Sequence, residues 1–197
     1  MRNSLSARLF VSLLVLCLVG LSAVAYGSSD LMISEVAWSG TRASWADEWV
    51  ELENTSGQTI DLAGWSLSWG EVTVNLGKAS QGTLSVNDKT VGADETVLLE
   101  RSDDQSVSSV EADVIYKGGL ANSGEKLILR NPEGDKVQTV DASKGWMAGT
   151  SSGDDPGYAS MELVDGKWKT HDSEGNQEDA EGNLIYGTPG VNPESTE

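Results

Sequence analysis

The chain is almost without cysteine, histidine, phenylalanine and proline. Of 197 residues one is Cys, one His, one Phe and four are Pro. The cysteine, Cys17, sits in an apolar run near the N-terminus. The body of the chain therefore has no disulfide framework and no thiol chemistry. It must hold together by burial alone, and its length is sufficient for one domain with a real core. A lone histidine excludes a Cys/His zinc cluster. Positive charge is scarce as well: 13 Lys and Arg stand against 31 Asp and Glu. Affinity for nucleic-acid backbones and anionic lipid comes from Lys and Arg, so both are poor partners for this chain. The acidic surplus suits solubility in a salty or metal-rich exterior.

Long hydrophobic runs are also missing, with one exception. Arg2 and Arg8 precede the uncharged run Leu9–Leu21, and Ala23-Val24-Ala25 gives a small-x-small pattern. Residues 1–25 are expected to be a signal peptide, read as an N-terminal helix and cleaved after Ala25. A retained anchor is the alternative, but Leu9–Ala25 is short of the roughly 20 residues that a spanning helix requires. In either case the arginines hold the N-terminus inside, and the rest of the chain is secreted or at the cell surface. Contact with the membrane would then come only through the N-terminal segment, if uncleaved. Leu16 stands where a lipoprotein signal would need a small residue before Cys17, so lipidation is not expected. Taking the leader's two arginines away leaves 11 basic residues against 31 acidic ones, a net charge of −20. Residues 26–30 read as a spacer, 31–192 as the folded domain and 193–197 as a free tail.

No amphipathic stretch of helical period follows the leader. Short runs rich in Val, Ile, Leu, Thr and Trp alternate with turn residues instead. Strands are expected at Leu31–Ala37, Glu48–Asn54, Trp65–Trp69, Glu71–Leu76, Thr96–Glu100, Ala112–Tyr116, Lys126–Arg130, Lys136–Asp141, Ala159–Val164 and Lys167–Thr170. Asn131-Pro132-Glu133-Gly134-Asp135 and Asp165-Gly166 are the clearest hairpin turns. The polar stretch His171–Asn183 reads as a long loop. Many short strands separated by turn residues, in a chain with 22 glycines, indicate an all-β sandwich or barrel.

Several motifs resemble a known family. Ile33-Ser34-Glu35-Val36, Asp47-Glu48-Trp49-Val50-Glu51-Leu52-Glu53-Asn54 and Asp61-Leu62-Ala63-Gly64-Trp65-Ser66-Leu67 look like the opening of the lamin-tail domain in its bacterial secreted form. Leu120-Ala121-Asn122-Ser123-Gly124-Glu125-Lys126-Leu127, Gly145-Trp146, Ala148-Gly149, Ser160-Met161-Glu162, Trp168 and Thr188-Pro189-Gly190 resemble its later motifs. The resemblance implies an immunoglobulin-like β-sandwich of short antiparallel strands, without catalytic residues of its own. In nuclear lamins the domain is a docking module. One departure stands out: Leu163 occupies the place after Ser-Met-Glu where the family usually has Arg.

The residues themselves suggest where contact with a partner would occur. Along Glu48–Asn54, Val50 and Leu52 share one face with Glu48, and Trp49, Glu51 and Glu53 share the other. With Val50 and Leu52 in the core, Trp49, Glu51 and Glu53 form a candidate ligand surface, to which Trp38, Trp45 and Trp69 add aromatic rings. Indoles stack on sugar faces and carboxylates accept hydroxyl hydrogen bonds, so an extracellular glycan or protein is the expected partner. The competing reading is that these tryptophans are packing residues. Trp65 and Trp146 are assigned to the core. No cofactor is expected. Calcium is the alternative, through the alternating Asp172, Glu174, Asn176 and Glu178 or the pairs Asp103-Asp104 and Asp154-Asp155. Counted from Asp172, Gln177 and Asn183 stand where an EF-hand needs Gly and Glu, so the loop is not that motif. Gly149-Thr150-Ser151-Ser152-Gly153 matches a Gly-x-Ser-x-Gly hydrolase pattern, with His171 downstream. That second alternative requires Ser151 and His171 to come within hydrogen-bond reach.

Overall fold

The computed structural model describes residues 30–77 and 90–191. The expected leader, nearly all of the spacer, and the tail lie outside them. Among the described residues there is no helix, and hence none long and apolar enough to cross a membrane. The described residues form twelve strands: β1 Leu31–Ala37, β2 Trp49–Asn54, β3 Ile60–Asp61, β4 Ser66–Trp69, β5 Val72–Asn75, β6 Thr90–Val91, β7 Thr96–Arg101, β8 Val114–Tyr116, β9 Lys126–Arg130, β10 Lys136–Asp141, β11 Met161–Val164 and β12 Lys167–Thr170. A six-stranded sheet in the order β12-β11-β1-β2-β7-β8 faces a four-stranded sheet in the order β10-β9-β4-β5. All neighbours in these two sheets run antiparallel except β7 and β8, which are parallel. The architecture is the immunoglobulin-like β-sandwich that the motifs imply. Only β3 and β6, a ladder of two residues each, have no counterpart among the expected strands.

Alternation explains the inner layer. Val50 and Leu52 of β2, Val97 and Leu99 of β7, Leu67 and Trp69 of β4, and Leu127 and Leu129 of β9 are all buried in one cluster with Trp65. Burying each such side chain is worth about 1.5–3 kcal/mol. Strand β1 breaks the alternation, because Leu31, Ile33 and Val36 all enter this cluster. A bulge between Ile33 and Glu35 inserts the extra residue that makes the spacing work. Partway along β1 the neighbour β11 is lost, since it pairs only at Glu35 and Val36. There the amide side chain of Gln138, on β10 of the opposite sheet, accepts from Ile33 N and donates to Ile33 O at 3.3 Å.

The turns follow from local chemistry. In the β9–β10 hairpin Gly134 N donates to Asn131 O at 2.9 Å, and Asn131 N to Asp135 O at 3.1 Å. Asp165 and Gly166, both at positive φ (51° and 71°), reverse the chain between β11 and β12. The six-stranded sheet departs from a half-wet sheet in one respect: β1, β2 and β7 are buried at almost every position. Both of its faces are covered. On the outer face Ala37, Trp49 and Leu98 pack with Val107, Val110 and Ile185. Val107 and Val110 come from the β7–β8 connection, and Ile185 from the long segment after β12.

Candidate functional site

The covered outer face decides against the candidate ligand surface and for the packing reading of its tryptophan. Trp49 and Glu51 have no solvent exposure, and Glu53 is half-buried. The period of β2 placed these three side chains together correctly, but the surface they share is an interior. The segment 171–191 closes over it. Gly187 lies so close that an added Cβ would meet Glu35 Oε1 at 2.8 Å, Trp49 Cζ2 at 2.9 Å and Ser160 Oγ at 3.0 Å.

Carboxylates hold that cover in place. Antiparallel pairing sets Glu162, Glu35 and Glu51 side by side across β11, β1 and β2. Glu35 accepts from Thr188 N at 3.1 Å, from Thr188 Oγ1 at 2.8 Å and from Ser160 Oγ. Glu51 Oε2 accepts from Gly190 N, while Glu51 Oε1 and the neighbouring Trp49 Nε1 are buried without a hydrogen-bond partner. Glu100 takes Ser106 N at 2.8 Å and Val107 N at 3.1 Å, which pins the β7–β8 connection. Burial pushes the carboxyl of Glu35 up, and that of Glu51 well above the usual range, with the charge of Glu35 adding to the effect on Glu51. Burial likewise lifts Glu100 to about 8, against the two backbone donors.

At the edge of this row Glu162 meets His171. His171 Nδ1 lies 3.0 Å from Glu162 Oε2, and Ser173 Oγ is 3.4 Å from Nε2. The hydrogen bond to Glu162 raises the imidazole pKa, with the charges of Glu162 and Glu35 adding to it against burial. The alternative of a hydrolase needs His171 beside Ser151 instead. Ser151 Oγ donates to Asp154 at 2.9 Å, and no hydrogen bond among the described residues joins Ser151 to His171. The nucleophile–base contact that a hydrolase needs is not formed. Among the candidate calcium ligands, Asp104 accepts Ala112 N, Asp154 accepts Ser151 N, and Glu174 pairs with Arg42 at 3.4 Å. Asp104 and Asp154 are thus occupied within their own loops, and Glu174 by a cation of the β1–β2 connection.

The tryptophans divide by environment. Trp65 is in the core, as assigned. Trp146 is only partly buried against it, and it stacks on Trp38 with ring centroids 5.9 Å apart. Trp38 and Trp69 are buried, the latter edge-on to Tyr116, so neither belongs to a solvent face. Trp45 is different: 69% of it is exposed. It sits in the β1–β2 connection, whose Ala43 N donates to the buried Asp179 at 2.9 Å. The Arg101 guanidinium lies 5.5 Å from the Trp45 ring centroid. Arg101 Nη1 also bonds Glu48 Oε1 at 3.1 Å, and Glu48 Oε2 accepts Leu120 N at 2.7 Å. Burial pushes Glu48 up to about 7, with Leu120 N and Arg101 acting in the opposite direction. A buried carboxylate thus positions a guanidinium, and the guanidinium backs an exposed indole. No signal in the sequence separated Trp45 from the other rings. For Trp49 the separation depends on the cover, part of which comes from more than a hundred residues downstream.

The family comparison agrees with the fold. The profile of the Lamin Tail Domain matches residues 25–144, more than half of the chain. It spans β1 to β10 and includes the Glu48–Arg101–Trp45 unit. No curated protein matches the chain. The chain belongs to the lamin tail domain family.

Proposed function

We propose that this chain is an exported, non-catalytic β-sandwich module that binds neutral glycans at the cell exterior, with Trp45 as the contact residue. The observation that carries the reading is the exposed Trp45 ring backed by the Arg101–Glu48 ion pair. An indole fixed from below presents its free face for stacking on the C–H face of a sugar, and fixing it beforehand lowers the entropy lost on binding. Asp47, two residues along, and Asp103, whose charge acts on it, supply acceptors for sugar hydroxyls nearby. The acidic surplus disfavours anionic glycans. Export rests on the leader, and amino-terminal sequencing of the secreted product should begin at Tyr26.

The test is a glycan array probed with the mature chain, followed by calorimetry on the best neutral hit. Trp45→Ala should abolish binding while circular dichroism remains unchanged. An empty array, or binding that survives Trp45→Ala, contradicts the reading. Retention on a protein ligand alone would move the partner from glycan to protein.

A further inference from the structure

We propose that Glu35, Glu162 and His171 form a binding site for a divalent transition-metal ion of the zinc class. One donor atom from each lies within 4.8 Å of the others. The backbone sets this geometry. Glu35 and Glu162 face each other across β1 and β11, and His171, whose N–H bonds Ser160 O at 3.1 Å, prolongs β12 beside them. Small side-chain rotations bring three such donors to bonding distance of one ion, about 2.0–2.2 Å from each.

The donor chemistry selects the ion. Calcium prefers oxygen ligands only, whereas one imidazole with two carboxylates suits zinc and its neighbours. Glu35 is already oriented by Ser160 and Thr188, as a ligating carboxylate requires. The cluster is closed on its inner side, where Gly187 lies against Glu35. It opens to solvent through Glu162 and His171, whose side chains are 18% and 13% exposed. Next in the row, the fully buried Glu51 leaves Oε1 without a partner, and its charge and that of Glu35 oppose each other. A dication beside Glu35 would offset this repulsion. The nearest basic residue in the ladder, Lys169 opposite Glu162 on β12, is exposed and makes no ion pair with Glu162.

The test uses the mature chain, freed of metal by chelator, with zinc chloride and cobalt chloride as probes. Calorimetry should give one site per chain. Cobalt should produce a visible absorption band of low-symmetry coordination that zinc bleaches and calcium does not. His171→Ala and Glu162→Gln should each weaken zinc binding by at least roughly tenfold. Binding should also fall as the pH drops, because the ion competes with the proton on His171. The wild-type cobalt spectrum needs no variant: a purely octahedral, weakly coloured spectrum overturns the proposal. So does zinc binding unchanged in a folded His171→Ala chain, which would assign the ions to surface carboxylates.

Discussion

Gln138 on β10 bonds both backbone polar groups of Ile33 on β1, so a single amide joins the two sheets of the sandwich beside the β1 bulge. Gln138→Ala would leave Ile33 N and O without these partners in a part-buried seam. Stability should fall by about 1–3 kcal/mol, the cost of unsatisfied buried groups. Urea unfolding of the variant checks this. Gln138→Glu should be destabilising too, because it keeps an acceptor for Ile33 N and removes the donor for Ile33 O.

The Arg101–Glu48 pair links stability to the proposed binding surface. Glu48 is almost fully buried, and Arg101 covers it from the solvent side. Arg101→Ala removes the cation and leaves the carboxylate desolvated, which should cost on the order of 3–5 kcal/mol. Glu48→Gln should cost less, since an amide oxygen can still accept Leu120 N. Equal losses for the two variants in equilibrium unfolding would argue against this account of the pair.

Gly187 tests the covering segment. A methyl group there would press on Glu35, Trp49 and Ser160 at once. Gly187→Ala should destabilise by about 1–3 kcal/mol through overpacking. It should also raise amide exchange at Thr188 and Gly190, whose N–H groups bond Glu35 and Glu51. Unchanged exchange at those amides would mean that the segment is not held by the glutamates.

Stability should fall as pH rises from about 4.5 to 8. Free glutamates titrate near 4.5, whereas Glu48 and Glu100 in the fold titrate near 7 and 8, and Glu35 and Glu51 are also raised. Across that interval the folded chain holds protons that the unfolded chain has released, so rising pH favours unfolding. Each tenfold difference in proton affinity is about 1.4 kcal/mol. His171, raised above 6.5, acts with the same sign: its contribution is complete below 6.5 and is lost as pH climbs through the folded value. Asp141 and Asp154 are held below 3.8 and weaken the fold only in stronger acid. The urea midpoint, measured with chelator present, should be higher at pH 5 than at pH 8.5. Glu100→Gln should flatten the difference. A midpoint that rises over this interval would contradict the assignment.

Much of the sandwich was legible because its strands obey simple rules. Val50 with Leu52, Leu127 with Leu129, and the Asn131–Asp135 and Asp165–Gly166 turns carry their own local signal. What alternation cannot say is whether the second face of a sheet is wet. It groups Trp49 with Glu51 on one face but leaves open whether that face is solvent or packing, because polar residues usually mark the outside. Here the carboxylates instead accept hydrogen bonds from Thr188 and Gly190, far along the chain. The same distance hid the meeting of Glu35, Glu162 and His171. Neither spacing nor residue type announces a contact between β1 and β11, and the sequence suggests Ser151 only as an alternative partner for His171. The bulge in β1 shifted Val36 back into the core without any glycine or proline to mark it.

The contrast between Trp49 and Trp45 tests the account most directly. Equilibrium unfolding of Trp49→Ala should show a loss of about 3–5 kcal/mol, as for a large ring removed from a packed interior. Trp45→Ala should stay within about 1 kcal/mol of the parent, the worth of one exposed cation–π contact. If instead Trp49→Ala is nearly neutral, or Trp45→Ala is the costlier change, the outer face of the six-stranded sheet is not sealed, and the ligand surface must be sought there.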